Sequence, residues 1–275
     1  MALHPAIRAS GALAGFLAAA IVVVHFSADP SHQRNWRPEQ AILPGVTLDD
    51  SIAHIRHVRN FAFDSATDFT TGYLDRRYRL DRLERVWMVI SPLSREWRGP
   101  AHIFLSFEFS DSQYVSVSVE ARREVGEEYS ILKGALRRYE LIYVIGEERD
   151  LIGLRAVAWD LPVYLYPIRS TPEQARALFV GLLTRARELE ERPQFYNTFT
   201  NNCTTNILTA VNQVAVNPIP YGISILLPGY SDQLVYDRGL IDTTLSLDEA
   251  RETFRINERA RLAAGRDDFS ARIRS

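Results

Sequence analysis

The sequence predicts an α+β domain behind an apolar N-terminal segment, and three observations predict it. Two neighbouring runs alternate at period two, Ala101 to Phe109 and Tyr114 to Ala121, with Asp111 and Ser112 between them as turn residues. Two later runs carry helical periodicity behind N-cap residues, Thr171 before Pro172 and the Asn201-Asn202 pair before Cys203. Strand-like runs and helical runs are segregated along the chain, which fits α+β better than an alternating doubly wound sheet. At 275 residues, 46% hydrophobic and 24% charged, the chain is long enough to bury one sizeable core. With Lys+Arg at 32 against Asp+Glu at 34, its net charge of −2 argues against nucleic acid as a ligand. A lone cysteine, Cys203, excludes an intramolecular disulfide and a multi-cysteine metal site.

The elements follow in order. Gly11 to Phe26 is almost wholly apolar, follows Arg8, and reads as an export segment, so residues 1–30 are expected to be a signal anchor or signal peptide. Phe26 makes a poor −3 residue for cleavage, which favours the uncleaved anchor. Arg34 and Arg37 beyond it give the orientation only weak charge support. Residues 31–46, with Trp36, Pro38 and Pro44, read as a linker laid onto the domain, and residues 47–275 as the domain itself. Ile52 to Phe63 reads as a strand, Asp64 to Asp81 as an aspartate-rich loop, and Val86 to Ile90 as a buried run. Tyr139 to Ile145 and Val163 to Ile168 read as further strands. Helices are expected from Pro172 to about Glu190, from Cys203 to about Val214, and as one charged helix from Leu247 to Ala263.

The hairpin and the cysteine helix could together assemble a site. Matching the apolar sets Ile103, Leu105, Phe107 and Val115, Val117, Val119 fixes the parity of the pairing. The natural register sets Ile103 against Val119, Leu105 against Val117 and His102 directly across from Glu120; a slip of two residues would instead bring Arg122 to His102. A carboxylate beside an imidazole orients it and favours its charged form. Cys203 would sit in the first turn of its helix, where free N–H groups and the helix dipole favour a thiolate and can hold an oxyanion. Each residue also has a plain structural reading: a lone cysteine on an apolar helix face fills a core, and a strand histidine is commonly a satisfied structural residue. His54 and His57, three apart on a strand, face opposite ways and make a poor metal pair.

Several motifs in order resemble one known family. They are His102-Ile103-Phe104-Leu105-Ser106-Phe107-Glu108-Phe109, Ser118-Val119-Glu120-Ala121-Arg122-Arg123-Glu124 and Tyr139-Glu140-Leu141-Ile142-Tyr143-Val144. Downstream stand Phe195-Tyr196-Asn197-Thr198, Thr200-Asn201-Asn202-Cys203-Thr204 and Pro228-Gly229-Tyr230-Ser231-Asp232, and upstream Val58-Arg59-Asn60-Phe61. This pattern is similar to the Lnb N-terminal periplasmic domain family, from about Trp36 to Ala260. The resemblance implies a circularly permuted papain-like fold related to permuted NlpC/P60 enzymes, with an antiparallel sheet packed on the cysteine helix and the histidine strand ahead of it in the chain. It further implies Cys203 as nucleophile, His102 as its base and Glu120 as the residue orienting the histidine.

The family's full-length enzyme is a lipoprotein N-acyltransferase with several membrane spans, which this chain lacks after its domain. The expectation is therefore thiol-dependent acyl transfer at the periplasmic face of a bacterial inner membrane, from a phospholipid donor to a lipoprotein or other amine, with no cofactor. The alternatives are an NlpC/P60-type peptidase or amidase acting on cell-wall peptides, and a non-catalytic binding module. Asn202, Ser106, Arg122 and Tyr196 are the expected substrate contacts. Arg122, with Arg123, Arg137 and Arg138, would meet lipid phosphates or else form a solvated face. Leu226 to Tyr230 would be an acyl-contacting loop or plain packing. An apolar channel beside Cys203 would favour the acyltransferase, and an open polar groove the peptidase.

Overall fold

In the computed structural model the two alternating runs pair as their apolar parity demands. Strands β7 (Ala101–Phe109) and β8 (Tyr114–Arg122) are antiparallel, with Leu105 opposite Val117 and Phe107 opposite Val115. The structure describes residues 29–275 and, before them, Gly15, Phe16 and Ala20. The expected anchor over residues 1–30 therefore lies almost entirely outside the described residues. Among the described residues no helix is long and apolar enough to cross a membrane.

The hairpin is the centre of an eight-stranded sheet. Its other members are β1 (Gly45–Leu48), β2 (Ile52–Arg59), β5 (Tyr73–Arg79), β6 (Leu83–Pro92), β9 (Glu140–Gly146) and β10 (Tyr164–Ile168). The order is β1-β2-β9-β8-β7-β6-β10, with β5 also on β2. β3 (Ala62–Phe63) and β4 (Phe69–Thr70) form a separate small hairpin. The expected sheet was antiparallel; the observed one is mixed, because the end of β2 runs parallel to β9 at Arg59 and Gly146. An irregularity between Ile55 and Val58, with His57 at φ 60°, lies where β2 exchanges β1 for β9 on one edge while it stays paired with β5 on the other. Gly146 accepts that approach because a Cβ there would lie 3.0 Å from the Arg59 carbonyl oxygen.

Two expectations need correction. The aspartate-rich stretch expected as a loop contains β5; Asp75, Arg76 and Arg77 are exposed and mask the alternation, while Tyr78 is fully buried. The single charged helix expected from Leu247 to Ala263 is two helices, Leu247–Thr253 and Asn257–Ala263. Between them the chain runs alongside the start of β10, where Ile256 N–H donates to the Val163 carbonyl.

Both faces of the sheet are covered. On one face α3 (Pro172–Glu191) and α4 (Cys203–Val214) bury Phe179, Leu182 and Ile207 against Ile103, Leu105 and Phe107. On the other, α2 (Glu148–Gly153), a π-helical turn at Leu154–Ala158 and the C-terminal helices bury Phe104, Ile142 and Val144. Both main helices start as their sequences dictate, with Thr171 and Asn202 each closing a reciprocal capping box. The stretch expected as a linker packs on the domain, with Trp36 and Gln40 buried.

Candidate active site

The β7–β8 ladder pairs Leu105 with Val117 but goes no further towards Ala101, although both strands continue, held by β6 and β9 on their outer sides. The parting strand ends leave room between them. His102 and Glu120 come from the face that carries Phe104, and α4 brings Cys203 from the opposite face. All three line one cavity of about 260 Å³. The candidate site thus forms where the sheet opens, and a thiol on one face shares a cavity with an imidazole on the other.

The expected ladder pairs Ile103–Val119 and His102–Glu120 do not form, because the strands have parted, but the His102 and Glu120 side chains meet through an intermediary. His102 Nε2 lies 3.8 Å from Glu120 Oε1, and the Ser118 hydroxyl bridges the two, 2.7 Å from Nε2 and donating at 2.9 Å to Oε1. Glu120 is held from two further directions. Arg155 Nη2 donates to Oε1 at 3.0 Å, and Gln40 Nε2 donates to Oε2 at 3.2 Å. Arg155 itself stacks over Phe104 and Trp159. With Nε2 committed to this relay, Nδ1 is the imidazole nitrogen left for a reacting proton.

The electrostatics reverse two expectations, a charged imidazole at His102 and a thiolate at Cys203. Burial, with the Arg155 charge adding to it and outweighing Glu120, holds the His102 imidazole down to about 3, so it is neutral at working pH. Burial pushes Glu120 up, but Arg155, then His102 and Arg59, overcome it and keep the carboxylate ionised. Burial also pushes the Cys203 thiol up, only partly offset by the N–H of Ile103 and by Thr204. The helix start was expected to favour a thiolate. Instead Cys203 is buried, only 9% exposed, and its resting form is the neutral thiol. Sγ sits 3.7 Å from Thr204 Oγ1 and makes no hydrogen bond to His102 in this state.

The remaining expected contacts divide. Tyr196 lines the cavity, its hydroxyl 3.2 Å from that of Tyr129. Asn202 adjoins Cys203, but its side chain is engaged as the helix cap, accepting from Thr205 N–H and donating to the Thr198 carbonyl. Ser106 is placed elsewhere, fully buried beneath the sheet against Glu148. Arg122 is also placed elsewhere: it donates to the carbonyls of Gln40 and Ala41 and stacks on Trp36, so it is not on a phosphate-facing surface. Arg123 does line the cavity.

Sequence reasoning missed Ser91, Ser118, Arg155 and Gln40. Ser118 was legible, two residues before Glu120 on the same strand face. Ser91 pairs with His102 in the β6–β7 ladder, lines the cavity, and has a buried hydroxyl without a hydrogen-bond partner. Arg155 and Gln40 come from distant parts of the chain, and no local pattern marks them.

A second, apolar cavity of about 90 Å³ begins one side chain from the sulfur. Thr204 and Ile103, the two neighbours of Sγ, belong to its wall, together with Ile207 and Val211 of α4 and Ile225 and Leu234 opposite. Among the described residues no cluster of His, Cys, Asp and Glu is placed to hold a metal ion.

Comparison with known proteins agrees with the motifs. A model of the Lnb N-terminal periplasmic domain matches residues 70–227, more than half of the chain, and spans His102, Glu120 and Cys203. The chain belongs to the Lnb N-terminal periplasmic domain family. No curated protein and no solved structure matches it significantly. The match is narrower than the resemblance read from the motifs, and leaves Gln40 outside it.

Proposed function

We propose that this Lnb-family domain is a thiol-dependent acyltransferase working at the periplasmic membrane surface, with an acyl-Cys203 intermediate, a phospholipid as donor and a lipoprotein or other amine as acceptor. The observation that carries this reading is the apolar cavity beside the sulfur, because a fatty acyl chain gains about 0.8 kcal/mol for each methylene it buries there. The order of a histidine strand followed by a cysteine helix also supports a permuted papain-like arrangement. Residues 1–30 would be the inner-membrane anchor.

The chemistry follows from the resting protonation states. His102 Nδ1 takes the Cys203 proton as Sγ attacks the donor ester carbonyl, once the two groups close to hydrogen-bond reach. The free N–H groups of the α4 first turn lie where the tetrahedral oxyanion forms. The ester C–O bond then breaks, the departing lysophospholipid oxygen takes the proton back from His102, and the thioester remains. An acceptor amine attacks the thioester carbonyl, gives its proton to His102, and the Sγ–C bond breaks to return the thiol.

Intact-mass analysis of the full chain after incubation with short-chain phospholipids tests this. The expected result is a hydroxylamine-labile adduct of acyl mass on wild type, absent from Cys203→Ala and from His102→Ala. No adduct on folded wild type, with cleavage of peptidoglycan peptides instead, would overturn it in favour of a peptidase.

A further inference from the structure

The segment joining β8 to β9 exposes large apolar side chains. Its short helix α1 (Ile131–Ala135) holds Ile131 57% exposed and Leu132 68% exposed, both large for a soluble surface. Two neighbours extend this face. The Thr198 hydroxyl donates to the Ile131 carbonyl, which sets exposed Phe199 beside the helix, and exposed Tyr221 donates to the Phe199 carbonyl. Tyr129, at the start of the segment, lines the Cys203 cavity, so the face adjoins the mouth of the site. Across that mouth Leu93 and Trp159 are also exposed and also line the cavity.

Lys133, Arg137 and Arg138 on this face are exposed, and none is held by an ion pair to another of the described residues. Interleaved aromatic, aliphatic and basic side chains are the composition of a surface that sits in a lipid headgroup layer. A protein-binding face would instead concentrate apolar residues in a core depleted of lysine.

The chain's path gives an independent argument. The apolar run Gly11 to Phe26 precedes Ser31, whose N–H donates to Glu140, and Asn35, whose carbonyl accepts from Val125 N–H. The chain therefore comes off the apolar run and onto the domain alongside both ends of this same segment.

We propose that the face formed by Tyr129 to Arg138, Phe199 and Tyr221 docks onto an anionic phospholipid bilayer and sets the mouth of the Cys203 cavity against it. The inference deepens the acyl-transfer reading by assigning the surface through which a lipid donor reaches the thiol. Ile131 and Leu132 enter the acyl boundary, and Lys133, Arg137 and Arg138 meet the phosphates.

The test uses the full chain with Cys203→Ser, reconstituted in phosphatidylethanolamine–phosphatidylglycerol vesicles. An environment-sensitive fluorophore is placed through Leu132→Cys or Phe199→Cys, and, at the far end of the hairpin, through Asp111→Cys. Doxyl-labelled lipid is expected to quench the fluorophore at 132 and 199 several-fold more than at 111. Combined Lys133→Ser, Arg137→Ser and Arg138→Ser substitutions should reduce that quenching, as should high salt. Equal quenching by aqueous iodide at all three positions would overturn the proposal. So would shielding from iodide at 132 without quenching by lipid, which would mean that protein covers the face. Because this background lacks the thiol, docking is read without catalysis. Docking without any acyl adduct on wild type sinks the acyl-transfer reading alone; an adduct without docking sinks this inference alone.

Discussion

Two arginine–carboxylate pairs lie close together, near enough for Arg59 to act on Glu120, and they differ in what surrounds them. Asp150 is saturated: Arg59 grips both oxygens at 2.9 and 2.7 Å, and Phe61 N–H adds a third bond at 2.8 Å, with both side chains sealed in the core. Glu120 is held by Arg155, Gln40 and Ser118, but it also borders an imidazole and a cavity. The first pair locks the Val58-Arg59-Asn60-Phe61 motif against α2. The second sets the orientation and protonation state of a histidine. Like residue pairs are thus sealed in one place and partly open in the other, with Asp150 at 0% and Glu120 at 16% side-chain exposure, and the difference is whether the carboxylate borders a cavity.

The largest expected effect separates them by double substitution. Arg59→Met or Asp150→Asn alone should cost about 3–5 kcal/mol, because each orphans a buried partner, and Glu120→Gln or Arg155→Met should fall in the same range. Combining Arg59→Met with Asp150→Asn should recover much of the stability and the acylation together. Combining Glu120→Gln with Arg155→Met should recover stability but not acylation. Urea denaturation alongside adduct formation reads both, and recovery of acylation in the second double variant would erase the distinction.

Ser118→Ala should come next, because it breaks the relay without orphaning a charge. Acyl-adduct formation should fall by about 10–100-fold, while stability changes by about 1 kcal/mol. An unchanged rate would mean that Glu120 does not act on His102 through this hydroxyl.

The pH dependence sharpens the contrast further. The folded His102 pKa lies near 3, below the ordinary 6.5, so the unfolded chain takes up the proton first as pH falls. Wild-type stability from this group is therefore complete above pH 6.5 and is lost progressively towards pH 3. Glu120 adds loss of the same sign, but only below its ordinary 4.5. Between pH 6.5 and 4.5, His102→Gln should lose stability less steeply than wild type. Parallel slopes would show that the imidazole is free to charge in the folded state.

The smallest effect is expected at Ser91. Its unpaired buried hydroxyl makes Ser91→Ala neutral or stabilising by about 1 kcal/mol. The same change should lower acylation several-fold if measured as kcat/KM, because the hydroxyl is then missing from the cavity wall. A loss of stability would instead reveal a partner for it in the resting state.

Much of this was legible because it is local. The parity of Ile103, Leu105 and Phe107 against Val115 and Val117 set the hairpin register, and Asn202 before Cys203 set the helix start to the residue. Glu120 followed from that register. The strand at Tyr73–Arg79 was hidden because three of its side chains are charged and exposed, so that only its pairing with β2 declares it. The helix break at Phe254 to Ile256 was hidden likewise, since the bond from Ile256 to Val163 spans much of the chain.

By itself the sequence determined the family, the α+β class and the hairpin, and singled out Cys203 and His102 as candidates, since these rest on periodicity, capping and motif order. Only the tertiary structure decided that β7 and β8 part beyond Leu105, that Arg155 and Gln40 close on Glu120, and that the thiol rests neutral beside an apolar cavity. Those are consequences of burial and of contacts between distant segments, and desolvation acts on a side chain only once the rest of the chain has folded around it.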